Sequence, residues 1–468
     1  MKSIYCLLSI FVIVFSEQVT SDETTYAYFN LIKDAYNQQN PRRIYNLFSQ
    51  ISKDSLSYEK FSKEIMEIYD RSGRIAYWTH ISINSDNPEF TLGFEKNLAV
   101  GGLIWTYSDK NFLRFALYDF AQPTMIDFFQ NNQNKVTFTA ITDGKTLIDY
   151  FGNRDQDLMS VFKITVAIEF SRQANEKIID KDQFVSINDI NKFFVPSIDI
   201  YHQQFLDIWK ANDWIVDNKM KLQDVVKGMI AFSSNSCTEF LQSLLTMKSI
   251  QELVDSVKLH QTQAYYLASY QLSYLNLHNL PNDEYIKEID SLTSEQVLNR
   301  SNNIHNILVT GSQEAINLLK RGNELLNAQV LAIQTKQFTK STTNAYAKLM
   351  DQLNNQELFD QGFYDIFYPL IGIVELSNPG LKKLFNHVGA KGGSSAIQND
   401  TACVFSQAQF SELQHALPYK TISYAFFMEN LFWDDYESII IGFNSFKTML
   451  STNGLYLNAV AQKLKQIS

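Results

Sequence analysis

Apolar residues between positions 25 and 70 recur at helical spacing. Phe29, Ile32 and Tyr36 share one face. Pro41 suits a first helical position, and Ile44, Phe48 and Ile51 follow it at intervals of four and three. Phe61, Ile65 and Ile68 mark a third stripe. The period then changes to that of strands. RIAYWTHISI, PEFTLGFEK, GGLIWTYSD and NFLRFALYDF are rich in aromatic and β-branched residues and are separated by Asn, Asp, Gly and Ser. Helices followed by an antiparallel sheet predict a compact α+β unit over residues 21–122.

Beyond AQPTMIDFF the pattern becomes mixed. KVTFTAI and LIDYF predict a hairpin around TDGK, and a helical run begins at Ser160. A long, mostly helical region follows over 187–384. HVGAKGGSSAIQ, TACVFS and KTISYAFFMEN read as strands, and 446–467 as one closing amphipathic helix. Strands at both ends with helices between them predict a sheet assembled from the two ends of residues 130–468, an α+β or mixed α/β architecture. A chain of 468 residues is long enough for two such domains.

Composition adds constraints. The chain is 45% hydrophobic with 34 Phe and 24 Tyr, enough for a large core. A net charge of −10 without any Lys/Arg-rich run argues against a nucleic-acid partner, which takes a basic face. Lys2 precedes an apolar stretch over 4–15 that is too short to span ~30 Å of hydrocarbon as a helix. With Val14 and Ser16 as small residues, 1–16 reads as a signal peptide cleaved after Ser16, the other reading being an uncleaved anchor. The expected mature chain is secreted or periplasmic, with no transmembrane span. Cys6 leaves with the leader, so Cys237 and Cys403 remain, and an oxidising compartment permits one disulfide. The seven His are scattered without HxH or HExxH spacing, so neither a metal site nor a cofactor is expected.

Candidate chemistry starts in LMSVFKITVAIEF. Ser160 and Lys163, three apart, share a helix face. A serine in the first turn lies near free N–H groups and the positive end of the helix dipole. Lys163, among Val161, Phe162, Ile164 and Val166, would be poorly solvated. Desolvation lowers a lysine's pKa, and a neutral amine can take a serine's proton, giving an activated nucleophile without histidine. The ordinary alternative is a pair of solvent-facing helix residues, but a charge buried in such flanks is costly without a partner or a task. In AFSSNSCTEFLQSLL, Ser233 and Asn235 stand at the mouth of an apolar run, where a helix cap is the plainer reading. In HVGAKGGSSAIQND, Lys391 precedes Gly392, Gly393, Ser394 and Ser395. Glycine within a strand marks close backbone approach, or the stretch is a turn with a solvated lysine.

Taken in order, S-V-F-K, S-S-N and K-G-G resemble the S-x-x-K, S-D-N and K-T-G elements of the serine β-lactamases and penicillin-binding proteins. The flanks LMSVFKI, MKLQDVV, STTNAYAKLMDQL and KGGSSAIQNDTACV share the likeness. AYNQQNPRRIYNLFS is similar to the NTF2-like cone domains that precede some exported members. The resemblance implies a β-lactamase-like domain after a small NTF2-like one. It implies Ser160 as nucleophile, Lys163 as base and Ser233 as proton relay to the leaving nitrogen. Asn235, Lys391, Gly393 and Ser394 would bind substrate, with the N–H groups of Ser160 and Ser394 as oxyanion hole. Two departures stand out: Ser234 replaces Asp, and Gly392 replaces Thr or Ser. A deacylating base is implied at Glu295, in Glu295-Gln-Val-Leu-Asn, although Thr293 stands where Arg is expected. TSEQVLNRSNN also reads as a capped, solvated helix. The implied activity is that of an exported serine acyl hydrolase opening β-lactams. The alternatives are a D-Ala-D-Ala carboxypeptidase or penicillin-binding protein, an esterase, and a non-catalytic binding module.

Overall fold

The structure, a computed structural model, describes residues 22–81, 87–108, 111–120, 124–396, 402–416 and 418–467. The expected leader 1–16 lies outside the described residues.

Helices Asp22–Asn37, Pro41–Tyr45, Gln50–Ser55 and Tyr58–Ser72 precede strands β1 (Ile75–His80), β2 (Glu89–Phe94), β3 (Val100–Ser108) and β4 (Asn111–Asp119). The strands pair antiparallel in sequence order, at the four predicted segments. An aromatic stack ties the first helix to the sheet: Phe29 lies 4.2 Å from Phe90, and Phe90 lies 5.6 Å from Trp105. The second predicted helix is two short ones. The chain pairs with β4 at the break, where Phe112 N donates to Leu47 O (2.8 Å) and Ser49 N donates to Phe112 O (2.9 Å). Ser49 then caps a new helix by accepting from Ser52 N. The restart rotates Ile51, expected on the buried stripe, to 75% exposure.

The second unit is built on β5 (Val136–Thr142) and β6 (Lys145–Tyr150), joined by Asp143 and Gly144 at φ 46° and 72°. Positive φ at both central residues is what a two-residue hairpin turn requires. A short β7 (Gln156–Asp157) precedes the nucleophile segment. β8 (Phe184–Ser186) pairs with β9 (Lys219–Lys221), and β10 (Lys340–Ser341) returns to β7. The last three strands are β11 (Phe385–Ser395), β12 (Cys403–Leu413) and β13 (Thr421–Leu431). The five-stranded sheet runs β11-β12-β13-β5-β6, so its centre joins the two ends of the domain as predicted.

Alternation along β13 divides the core. Ala425 and Phe427 face a helical layer that includes Lys163–Asn175, Asn235–Leu245 and Thr343–Asn354. Tyr424, Phe426 and Met428 face Met125–Asn131, Trp433–Thr452 and Gly454–Ile467. The closing helix expected over 446–467 is therefore the end of one helix and the whole of another. Asn453 makes the break, its Oδ1 accepting from Tyr456 N (3.0 Å) and its Nδ2 donating to Trp78 O (3.2 Å). Tyr456 also fastens the two units together. Its hydroxyl donates to Leu98 O (2.9 Å), and its ring packs against Tyr77 and Gly93, where a Cβ would lie 3.0 Å from the ring.

Cys237 and Cys403 are buried and not joined by a disulfide, so the permitted bond is not formed. No helix among the described residues is long and apolar enough to cross a membrane.

The helical region contains one closed excursion. Gln261 bridges Ser341, and Thr262 N donates to Lys340 O (2.9 Å), so residues 263–339 leave and return at one neck. The neck reaches the nucleophile segment directly. Leu158 N donates to Thr339 O (3.0 Å), and Lys340 Nζ lies 3.1 Å from the buried Asp157 carboxylate.

Truncating the fastening residue should be costly. Tyr456→Ala removes a fully buried ring and is expected to destabilise the protein by about 3–5 kcal/mol. Tyr456→Phe, which strands only the Leu98 carbonyl, should cost about 1–3 kcal/mol. Denaturant unfolding of the full chain measures both.

Candidate active site

Ser160 lies in a 3₁₀ turn, Met159–Phe162, that feeds helix Lys163–Asn175. Met159 has φ 42°, a left-handed conformation rare for a residue with a side chain. β11 presses on this turn. A Cβ at Gly393 would sit 2.2 Å from Ser160 N and 2.8 Å from Met159 Cβ, so only glycine fits there. Ser160 remains half-buried, beside the exposed Ser394.

Lys163 is fully buried. Its Nζ donates to Ser233 O (2.5 Å), Ser233 Oγ (3.2 Å) and Asn235 Oδ1 (2.8 Å). Burial lowers its pKa to about 7, while the nearby Asp199 carboxylate and Cys237 pull the other way. Ser233 occupies the turn between helices Leu222–Ala231 and Asn235–Leu245 at φ 56°. In that conformation it offers both its carbonyl and its hydroxyl to the amine. Lys391, on β11, comes to the same hydroxyl. Its Nζ donates to Ser233 Oγ (3.0 Å) and Gly392 O (2.6 Å). Burial first, and the charge of Lys163 second, hold its pKa well below the usual lysine value. Two buried ammonium groups meeting at one hydroxyl repel, which favours a neutral amine in the pair.

Both sequence departures are accommodated locally. Ser234 is an N-cap whose Oγ accepts from Cys237 N (3.1 Å) and donates to Asp199 Oδ2 (3.1 Å). The same Asp199 oxygen accepts from Ser236 N (2.8 Å) and Oγ (2.7 Å), and His202 Nδ1 lies 2.8 Å from Ser234 Oγ. A carboxylate from another segment thus stands behind the serine. At Gly392, a Cβ would meet Gln407 Oε1 at 2.7 Å, so the amide of β12 fills the space beside that position.

Ser160, Asn235 and Ser394 open into a cleft of about 100 Å³. Its opposite wall comes from the excursion: Leu267, Tyr270 and Gln271 from one helix, Leu331, Gln334 and Thr335 from another, with Phe338 beyond. Glu239 pins the first of these helices, accepting from Ser269 N (2.8 Å), Ser269 Oγ (2.5 Å) and His305 Nδ1 (2.8 Å). Tyr270 OH donates to Gln334 O (2.5 Å), stitching the two together.

Ser160, Lys163, Ser233, Asn235, Lys391, Gly393 and Ser394 therefore converge. Glu295 is not brought to them. It is exposed in the first turn of helix Ser294–Thr310, under a capping box of Thr293 and Gln296, and it does not line the cleft. Asp199, Glu239 and Gln271 were not singled out from the sequence. Asp199 and Gln271 lie in segments without a motif and Glu239 lies four residues past the S-S-N turn, and only the fold brings them here.

Residues 124–410 match the beta-lactamase enzyme family. No curated protein sequence matches. Among solved structures, a class A β-lactamase from Bacteroides cellulosilyticus is similar at 18% identity, over 71% of this chain and 96% of that one, with a TM-score of 0.41. A β-lactamase from Chitinophaga pinensis is similar at 12% identity, over 69% and 96%, with a TM-score of 0.41. A mutant of PBP-A, solved as its acyl-enzyme complex with penicillin G, is similar at 11% identity, over 68% and 92%, with a TM-score of 0.37.

The tight contact at Gly393 is directly testable. Gly393→Ala must push the Ser160 turn away from β11, and a misplacement of about 1 Å at a reacting atom costs on the order of 100-fold. Labelling by a fluorescent penicillin should slow by about that factor.

Proposed function

We propose that this chain, which belongs to the beta-lactamase enzyme family, is exported and opens β-lactam amides through an acyl-enzyme on Ser160. The observation that carries this reading is the meeting of Lys163 and Lys391 at the hydroxyl of Ser233, with Gly393 of the same strand as Lys391 packed against Ser160 N. Lys163 in its neutral form takes the Ser160 proton, exchanging one of its present hydrogen bonds to do so. The Ser160 Oγ–carbonyl bond forms, and the lactam C–N bond then breaks. The proton passes through Ser233 Oγ to the leaving nitrogen, and Lys391 keeps that hydroxyl oriented. The N–H groups of Ser160 and Ser394 face the developing oxyanion, and Asn235 holds both Lys163 and the substrate amide. Lys391 also supplies the positive charge that draws a substrate carboxylate. Gly392 offers no hydroxyl to that carboxylate, so it is held by fewer hydrogen bonds than a threonine there would allow. Export rests on the apolar segment 4–15, with cleavage after Ser16.

Intact mass of the mature protein incubated with benzylpenicillin should show one adduct, located at Ser160 by peptide mapping. Ser160→Ala should show none, and wild type without an adduct would sink the reading. The acylation rate should also depend on pH. The amine of Lys163 is charged below about 7 and neutral above it, so the rate should fall as pH drops through that value.

A further inference from the structure

We infer that Asp199, in a loop outside all three motifs, is a positioning residue of this active site. One of its oxygens clamps the turn that carries Ser233 and Asn235, and its charge is the counter-charge of Lys163. The inference deepens the acylation reading above, on which its kinetic part rests.

The turn needs a clamp. Ser233 holds a left-handed backbone, φ 56°, which residues with a side chain seldom adopt. Its own polar atoms do not keep it there, since its carbonyl accepts from Lys163 and its hydroxyl meets both Lys163 and Lys391. The hold comes from the residues that follow. Ser234 Oγ donates to Asp199 Oδ2 (3.1 Å), and Ser236 donates to the same oxygen through N (2.8 Å) and Oγ (2.7 Å). The two neighbours of Asn235 are thus tied to one atom, while Asn235 Oδ1 accepts from Lys163 Nζ (2.8 Å). Asp199 is itself fixed. Its N donates to Val195 O (2.9 Å), and its carbonyl accepts from His202 N (3.0 Å) at the start of helix His202–Ala211. The His202 ring is fully buried, 2.8 Å from Ser234 Oγ through Nδ1 and 2.8 Å from Asn191 Oδ1 through Nε2, so it braces the same serine.

The second role is electrostatic. Groups from three elements bear on the buried Lys163: Asp199 from the loop, Cys237 from helix Asn235–Leu245 and Lys391 from β11. Burial pushes the Cys237 thiol up to about 12, so it stays neutral. Burial also lowers the pKa of His202, against the pull of Asp199, so the ring beside Asp199 is uncharged near pH 7. Lys391 repels Lys163 and has Glu375 as its own carboxylate. Among the described residues, Asp199 is therefore the carboxylate that bears on Lys163. An opposite charge favours the ammonium form, so removing it leaves the amine neutral down to a lower pH.

The experiment titrates Lys163 directly, by NMR of the full mature chain labelled with carbon-13 at lysine Cε, the signal being assigned by its loss in Lys163→Met. Asp199→Asn keeps an oxygen acceptor in place and drops the charge. It should lower the Lys163 midpoint by about one pH unit, the lower end of what a neighbouring opposite charge contributes. Labelling by a fluorescent penicillin should then be faster than wild type at pH 6 and no faster at pH 8, a crossing that a merely loosened turn does not produce. Asp199→Ala removes the acceptor as well and should label about 100-fold more slowly at pH 8, the cost of a displaced reacting group. An unchanged or raised midpoint in Asp199→Asn overturns the inference, as does an Asp199→Ala enzyme that labels at the wild-type rate. If Asp199→Ala does not fold, the midpoint in Asp199→Asn decides. No adduct on wild-type Ser160 removes the acylation reading, and the titration of Lys163 still tests the counter-charge.

Discussion

One buried amine organises the active site. Lys163 sits in a helix whose neighbours, Val161, Phe162, Ile164 and Val166, are all fully buried, so water cannot solvate its charge. Everything that lets it stay there is supplied by the turn at Ser233. That residue must adopt a left-handed backbone to present a carbonyl and a hydroxyl together, at a cost of about 1–2 kcal/mol for an L-residue. Asn235 supplies the third acceptor from the first turn of the next helix. Lys391 adds a second ammonium to the same hydroxyl, and the resulting repulsion adds to what burial already does to both pKa values. The chemistry and the strain thus have one origin, a polar centre enclosed by apolar helices.

The motifs were legible because each combines residue type with an unusual setting. A lysine within LMSVFKITVAI and glycines within HVGAKGGSS contradict their surroundings as ordinary helix and strand residues. The strands of both sheets were legible for the opposite reason, since aromatic and β-branched runs agree with local preference. Breaks within helices were not legible. Periodicity carries Phe48 into Ile51 and runs straight across Asn453, and it does not register that a strand pairs with the chain at Leu47 and Ser49.

The candidate base shows the limit of spacing as a guide. Glu295 satisfies a short pattern in the right interval, yet its helix lies on the outer part of the excursion, capped and solvated. Gln271 stands in AYYLASYQLSYL, a run that reads only as apolar and aromatic. What brings it to the cleft is the buried carboxylate of Glu239, on a helix well upstream. Asp199 behaves similarly, reaching the S-S-N turn from a loop to support a serine where the resemblance expected a carboxylate. Both are tertiary substitutions for local chemistry.

The sheet order has a consequence for how the protein comes to be folded. β5 meets its partner only at β13, where Phe138 faces Phe426. A chain emerging from its N-terminus therefore displays the β5–β6 hairpin, with its apolar face of Val136, Phe138, Ala140, Ile148 and Tyr150, long before that partner exists. The nucleophile helix has no completed sheet to rest on during this interval. Contacts of such sequence separation form slowly, and an unpaired strand edge invites pairing with other chains. Folding of this enzyme, and its hold on Lys163, is thus decided last, by the three strands that close the domain.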